Sequence, residues 1–499
     1  MKISDFVAEF LYKKKVKNIY SLPGGGAMHL IDSFTKHKGL NQISFFHEQG
    51  VTIAAESAAR TAGNQISVCC VTTGPGATNA ITAVAGAWIE STPLVVISGQ
   101  VKRSDMLNGR KLRQVGVQEV DITKIVAPIT KFAYTLKRSD EIAFVMEKAI
   151  HEAISKRKGP VWIDIPLDIQ GSPSPTISKM KKFIPPRKLN KKKINISKII
   201  RLLDESTKPI FLWGNGVKAE NLKKDIRSLI IDYSLPSMFT WNASDILEYD
   251  NEMYLGRPGV VAQRHSNILI QISDLIVCIG TSLDNVITAY NSKDFGRNAK
   301  KIIINIDIEQ LKNIKIPNSI KIQSSAKEFL DLFKKYLNKE NRIFYKNTWK
   351  LEFLKLKKRF QNDFPNEIED ESSISHKDCV LALSNILDTN QLIATGSSGL
   401  AIEAFYMIFR NKKGQSYFLT SGLGSMGFGL PSAIGIAVEN KDKDVVLVES
   451  DGSLAMNIQE LQTVVNNKLP ICIFLMNNSG YASIRNTQSN YFNDRFFGT

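Results

Sequence analysis

The chain has 499 residues, 43% of them apolar and 23% charged, with a formal net charge of +17. That length holds three domains of ordinary size, and the balance excludes a fibre or a disordered chain, while no apolar run reaches membrane-spanning length. Lys and Arg are scattered without a basic helix or aromatic-interleaved strand, so the charge reads as a solvated surface, and neither a nucleic-acid nor a membrane partner is expected.

From the start, helix and strand alternate over residues 1–170. Phe6 to Tyr12 reads as a helix face and Asn18 to Ser21 as a short strand, followed by a Pro23–Gly26 turn and a helix from Met28 to Phe34. The triple glycine lacks the Gly-x-Gly-x-x-Gly spacing and is only a weak sign of a dinucleotide loop. The apolar strand end Ile43–Phe46 then runs into His47-Glu48-Gln49-Gly50 and a small-residue helix, Val51 to Ala62, able to pack closely on a neighbour. Glu48 should therefore be buried, either as a satisfied structural acid, for instance beside His47, or as a working one. Gly74-Pro75-Gly76 is a turn whose backbone can approach a ligand, and Gly159 to Pro166 is the strand and exit turn that closes the first domain.

The basic segment 171–194, with Pro185-Pro186, reads as a linker to a middle domain, 195–338, whose buried strands are Pro209–Trp213, Leu275–Ile279 and Lys301–Ile306. Asp307 follows the last of these as a capping acid. A helical linker, 339–372, carries Trp349 and Phe353, with Lys355, Lys357, Lys358 and Arg359 as its solvated face.

The third domain, 373–499, holds the most informative stretch. Ser397 and Ser398 lie in a small-residue loop after the strand Leu392-Ile393 and can reach a phosphate. Gly424 and Met426 lie in the glycine-rich loop Ser421–Gly429, where Met426 could equally be core filling. The buried strand Val445–Val448 stops at Asp451, a helix spans Asn457–Asn467, with Ile458, Leu461, Val464 and Val465 as its apolar face, and a second buried strand, Ile471–Met476, ends at Asn477-Asn478. Parallel strands of one βαβ unit carry their ligands at one edge, so Asp451 and Asn478 should be neighbours. Carboxylate plus amide oxygen is a hard pair suited to Mg²⁺, and Gly452 and Ser453 stand where helix N–H groups favour an anion. The plainer alternative is a strand-to-helix turn with a capping Asp. The five cysteines, Cys69, Cys70, Cys278, Cys379 and Cys472, lie mostly in apolar runs and read as core residues of a reducing compartment. Met1–Asp5 opens straight into an amphipathic helix, so a cytoplasmic location is expected.

Together, Ser450-Asp451-Gly452 with Asn478 placed 27 positions after Asp451, Phe46-His47-Glu48-Gln49, Val71 to Asn79, and Val95 to Gln100 resemble the thiamine diphosphate enzymes, in their acetolactate synthase branch. The resemblance covers nearly the whole chain. It implies three doubly wound α/β domains with parallel sheets: pyrimidine-binding, middle and diphosphate-binding. It implies Mg²⁺ on Asp451, Asn478 and the Gly480 carbonyl, and a cofactor cradle that includes Pro75, Asn79, Ser397, Ser398, Gly424, Gly452 and Ser453. Glu48 would act on the aminopyrimidine, Gln118 and Lys131 would belong to the loop facing the substrate, and Met426 would wedge the cofactor into a bent shape.

The implied activity is decarboxylation of pyruvate, or a similar 2-oxo acid, with carboligation to a second carbonyl compound. A two-carbon transfer to a keto sugar and a non-catalytic relative are the alternatives. The resemblance also implies a homodimer or homotetramer with active sites between chains. The family carries FAD in the middle domain, but Ser282 stands where FAD-binding members have an Arg, so FAD is left open. Val117 replaces a Phe, and Arg485-Asn486-Thr487-Gln488 replaces Arg-Gln-Trp-Gln. Because family members continue further, the third domain is expected to be cut short at Thr499.

Overall fold

The computed structural model describes residues 1–61, 65–186, 194–337, 344–364, 374–396 and 399–499, so Ser397 and Ser398 lie outside the described residues. Three parallel sheets organise the chain. The first contains β1 (Asn18–Ser21), β2 (Asn41–Ser44), β3 (Ser67–Val71), β4 (Leu94–Gln100), β5 (Phe132–Thr135) and β6 (Val161–Pro166), in the order β2-β1-β3-β4-β6-β5. The second contains β7 (Pro209–Trp213), β8 (Ser237–Phe239), β9 (Leu275–Ile279), β10 (Lys300–Asn305) and β11 (Ser319–Gln323), in the order β11-β10-β9-β7-β8. The third contains β12 (Leu392–Thr395), β13 (Ser416–Phe418), β14 (Val445–Ser450) and β15 (Ile471–Met476), in the order β13-β12-β14-β15.

β3 and β4 are buried along their whole length, which is why they read as unbroken apolar runs: both faces of a parallel sheet are covered. Val68, Cys70, Val95 and Ile97 face one core. Cys69, Val71, Leu94 and Val96 face another, shared with Leu392, Ala394, Val445 and Leu447 of the third sheet. The helix Glu48–Thr61 and the helix Gly429–Glu439 cross between the two sheets. Their small residues permit close approach, since a Cβ on Gly435 would stand 2.0 Å from the Ala54 carbonyl oxygen, and Ser57 donates to Ser432 at 2.8 Å. The small-residue pattern read in the sequence thus finds its neighbour in another sheet.

The middle sheet has a core of its own. The helix Asn347–Phe360 contributes Trp349 and Phe353 to it, and the Trp349 indole donates to the Pro209 carbonyl at 3.2 Å. One residue of its expected solvated face turns inward. Lys357 donates to the carbonyls of Tyr249 (2.6 Å) and Asn251 (3.1 Å), and burial pushes its pKa down to about 8.

Three further expectations are corrected in the third sheet. β15 is an edge strand, partly exposed, and Cys472 on it faces solvent. The helix expected over Asn457–Asn467 is broken into Ala455–Glu460 and Leu461–Asn467, with Asn457 at φ −134°. Asn457 is drawn inward because its amide donates to the Gly427 carbonyl at 2.7 Å. The buried positions are consequently Asn457, Glu460 and Thr463, while Ile458 and Val465 are exposed. Among the described residues, no helix is long and apolar enough to cross a membrane.

Candidate cofactor and active site

β14 and β15 run in register, Ser450 beside Met476, so Asp451 and the Asn477-Asn478 turn emerge together at one edge. Asp451 Oδ2 accepts from the Gly480 N–H at 2.7 Å. Asp451 Oδ1 and Asn478 Oδ1 are both buried and have no hydrogen-bond partner among the described residues. Buried oxygens left without a partner at one sheet edge are costly unless something bonds them, and a hard cation is what such oxygens suit. The residues present therefore fit Mg²⁺. The turn is shaped around this: a Cβ on Gly452 would come within 2.6 Å of the Tyr481 ring and 3.5 Å of the Gly480 carbonyl oxygen. Ser450, in contrast, has φ −94° and ψ 151°, extended backbone that needs no glycine. Arg485 closes the far side by donating to the carbonyls of Asn478 and Ser479.

The loop Ser421–Gly429 leans on this turn. Ser453 is buried and its hydroxyl accepts from the Gly427 N–H at 2.9 Å, so it points into the domain. Gly424 and Gly427 take φ +64° and +77°, the left-handed region, and place the half-buried Met426 between them.

Glu48 is the first residue of its helix and is buried. Its partner is not His47: Asn79 donates to Oε2 at 3.0 Å, from the end of the short helix Pro75–Asn79. Pro75 opens that helix at the surface, and a Cβ on Gly76 would lie 3.1 Å from Glu48 Oε1. The triple glycine is a packing device, since Cβ atoms on Gly24 and Gly26 would strike Thr72 and Thr73 at 2.5 and 2.7 Å.

Gln118 lies on an exposed loop at φ +65°, next to Val117, which is 86% exposed. Lys131 is turned away from that loop. Its Nζ donates to the Ser155 carbonyl at 2.5 Å, and burial pushes its pKa down to about 8. Thr487 sits on the exposed side of the helix Ala482–Phe492.

At the middle sheet, Asp307 caps the helix Ile308–Asn313 and pairs with Arg157 at 3.0 Å, while Gln310 donates to the Ser282 carbonyl at 3.3 Å. These groups are engaged with one another.

Three acids that sequence reasoning missed tie the site together. Glu460 accepts from the Phe46 and His47 N–H groups, at 3.2 and 3.0 Å, just ahead of Glu48. Glu90 accepts from the N–H groups of Ser421 (2.8 Å) and Gly422 (3.0 Å) and from the Asn242 amide (2.9 Å), joining all three sheets' units. Glu449 accepts from the Gly429 N–H at 3.1 Å, and burial pushes its carboxyl up to about 7. A Glu inside the apolar run of β14 was a visible signal. Glu460 gave none.

Comparison with known proteins agrees with this architecture. Residues 1–125 match the family described as thiamine pyrophosphate enzyme, N-terminal TPP binding domain, residues 196–333 its central domain, and residues 394–499 its C-terminal TPP binding domain. The chain is 32% identical over 502 residues to acetolactate synthase isozyme 1 large subunit of Escherichia coli (strain K12), covering 99% of this chain and 84% of that one. It is 30% identical over 508 residues to the chloroplastic acetolactate synthase of Arabidopsis thaliana, covering 99% and 72%. With the acetolactate synthase large subunit of Buchnera aphidicola subsp. Schizaphis graminum the identity is 29% over 506 residues, covering 99% and 85%. On its three parallel sheets and these full-length matches, the chain belongs to the thiamine diphosphate-dependent enzymes, in the acetolactate synthase-like branch.

Proposed function

We propose that the protein decarboxylates pyruvate and joins the remaining two-carbon unit to a second 2-oxo acid, as the names of its relatives suggest. The observation that carries the reading is the pair of orphaned oxygens, Asp451 Oδ1 and Asn478 Oδ1, at the sheet edge of a chain whose family holds thiamine diphosphate. Asp451, Asn478 and the Gly480 carbonyl would hold Mg²⁺, leaving open positions for phosphate oxygens. When bound, the cofactor supplies an electron sink for breaking and making carbon–carbon bonds beside a carbonyl.

The protein's own part is orientation and proton handling. Glu48 Oε2 is engaged by Asn79, which leaves Oε1, beside Gly76, to carry a proton to the aminopyrimidine. Met426, held between two left-handed glycines, would support the cofactor from below. Gln118 would face the substrate from its exposed loop. The resemblance to the acetolactate synthase branch supports a site completed by a second copy of the chain. No observation among the described residues favours a bulkier acceptor or a non-catalytic role over this reading.

The test is product identification. The protein incubated with thiamine diphosphate, Mg²⁺ and ¹³C-pyruvate should release labelled CO₂ and acetolactate, identified by mass spectrometry. Intact pyruvate in the presence of demonstrably bound cofactor would refute the reading.

A further inference from the structure

Asp164 lies in the C-terminal half of β6 and is 1% exposed. Its Oδ1 accepts from Ser98 Oγ at 2.6 Å, and its Oδ2 accepts from Gln100 Nε2 at 3.0 Å and Thr135 Oγ1 at 3.1 Å. Ser98 in turn accepts from the Trp162 indole at 2.8 Å, so its single proton is committed to the acid. Burial pushes the Asp164 carboxyl up to about 7, against three donors that favour its charge.

The Val120 carbonyl can only accept and the Val101 N–H can only donate, and this fixes which way the Gln100 amide faces. Its Nε2 points to Asp164 and to the Val120 carbonyl at 2.8 Å. Its Oε1 accepts from the Val101 N–H at 3.0 Å and from Thr73 Oγ1 at 3.0 Å. All four amide positions are used. The one proton of Thr73 is shared between Gln100 Oε1 and the Gln118 carbonyl at 3.3 Å. That carbonyl is pressed onto a bare Cα, since a Cβ on Gly74 would stand 2.4 Å from it. The chain of buried groups thus ends on a non-glycine residue at φ +65°, a conformation that persists only where its surroundings hold it.

We infer that Asp164, acting through Gln100 and Thr73, is a positioning residue that locks Gln118 and the base of its loop in the geometry the substrate meets. The inference rests on the proposal that Gln118 faces the substrate. Val120, gripped by the same Gln100 amide, and Gln118 flank Glu119, whose carboxylate accepts from Val115 N–H at 3.0 Å and from Leu107 N–H. The loop is therefore pinned at its base and folded over its own acid.

Kinetics of the enzyme with thiamine diphosphate and Mg²⁺ test this. Thr73→Val removes the proton donor and keeps the shape, and should raise KM for pyruvate roughly tenfold, the equivalent of one buried hydrogen bond, with kcat and the thermal midpoint little changed. Thr73→Ser should restore wild-type KM, Asp164→Asn should shift KM the same way as Thr73→Val, and Thr73→Val should add nothing to a Gln118→Ala background. Wild-type KM in Thr73→Val, with Gln118→Ala impaired, overturns the inference alone. Wild-type kinetics in Gln118→Ala overturns the role of Gln118 and with it this inference.

Discussion

Asn79 donates its side-chain amide to Glu48 Oε2 at 3.0 Å, and that single contact decides which carboxyl oxygen is left for chemistry. Glu48→Gln should retain cofactor binding and lower pyruvate turnover by roughly 10²–10⁴-fold, the usual weight of a general acid–base group. Asn79→Ala should cost less, since it frees the acid without removing it. Turnover at the wild-type rate in Glu48→Gln would take Glu48 out of the mechanism.

Active sites built between copies, as proposed, predict complementation. Glu48→Gln and Asp451→Ala chains, each inactive, should recover activity when mixed and allowed to exchange subunits. Exchange without recovery would place the whole site in one chain.

The crossing at Gly435 predicts a stability effect. Its Cβ would meet a backbone oxygen of Ala54 at 2.0 Å, so Gly435→Ala must push two helices apart. The expected cost is about 1–3 kcal/mol, read from urea unfolding. A variant as stable as the wild type would show that the crossing yields without cost.

His265 predicts how stability changes with pH. It is 1% exposed, and burial, helped by the positive charges of Lys357 and Arg257, pushes its pKa from 6.5 down to about 3. Between those values the unfolded chain holds the proton and the folded one does not. Stability therefore falls as pH drops below about 6.5, by about 1.4 kcal/mol per unit from this group. His265→Phe should flatten that slope in urea unfolding at pH 7.5, 6 and 5. An equal slope in the variant would assign the pH dependence to other groups.

The strands of the sheets were legible because their signals are local. β7, β9 and β15 begin and end where the apolar runs do, and the distance from Asp451 to Asn478 implied one sheet edge, which the register of Ser450 with Met476 delivers. What was not legible depends on contacts between units. Nothing around Glu460 announces that it will serve the Phe46 and His47 N–H groups of another sheet. Ile458 looks like a core residue by spacing, yet Asn457 takes the inward place because Gly427 offers it a carbonyl. Lys357 carries its charge on a helix that looks solvated, and two backbone carbonyls of the middle unit claim it.

Two oxygens, Asp451 Oδ1 and Asn478 Oδ1, unpartnered among the described residues, are the proposed seat of the metal that fastens the cofactor. Isothermal titration of thiamine diphosphate into the protein, with Mg²⁺ and with EDTA, tests this assignment most directly, repeated with Asp451→Asn. Tight binding that requires Mg²⁺ and is lost in Asp451→Asn is expected; equal affinity with EDTA, or an unaltered Mg²⁺ requirement and affinity in Asp451→Asn, would contradict that assignment.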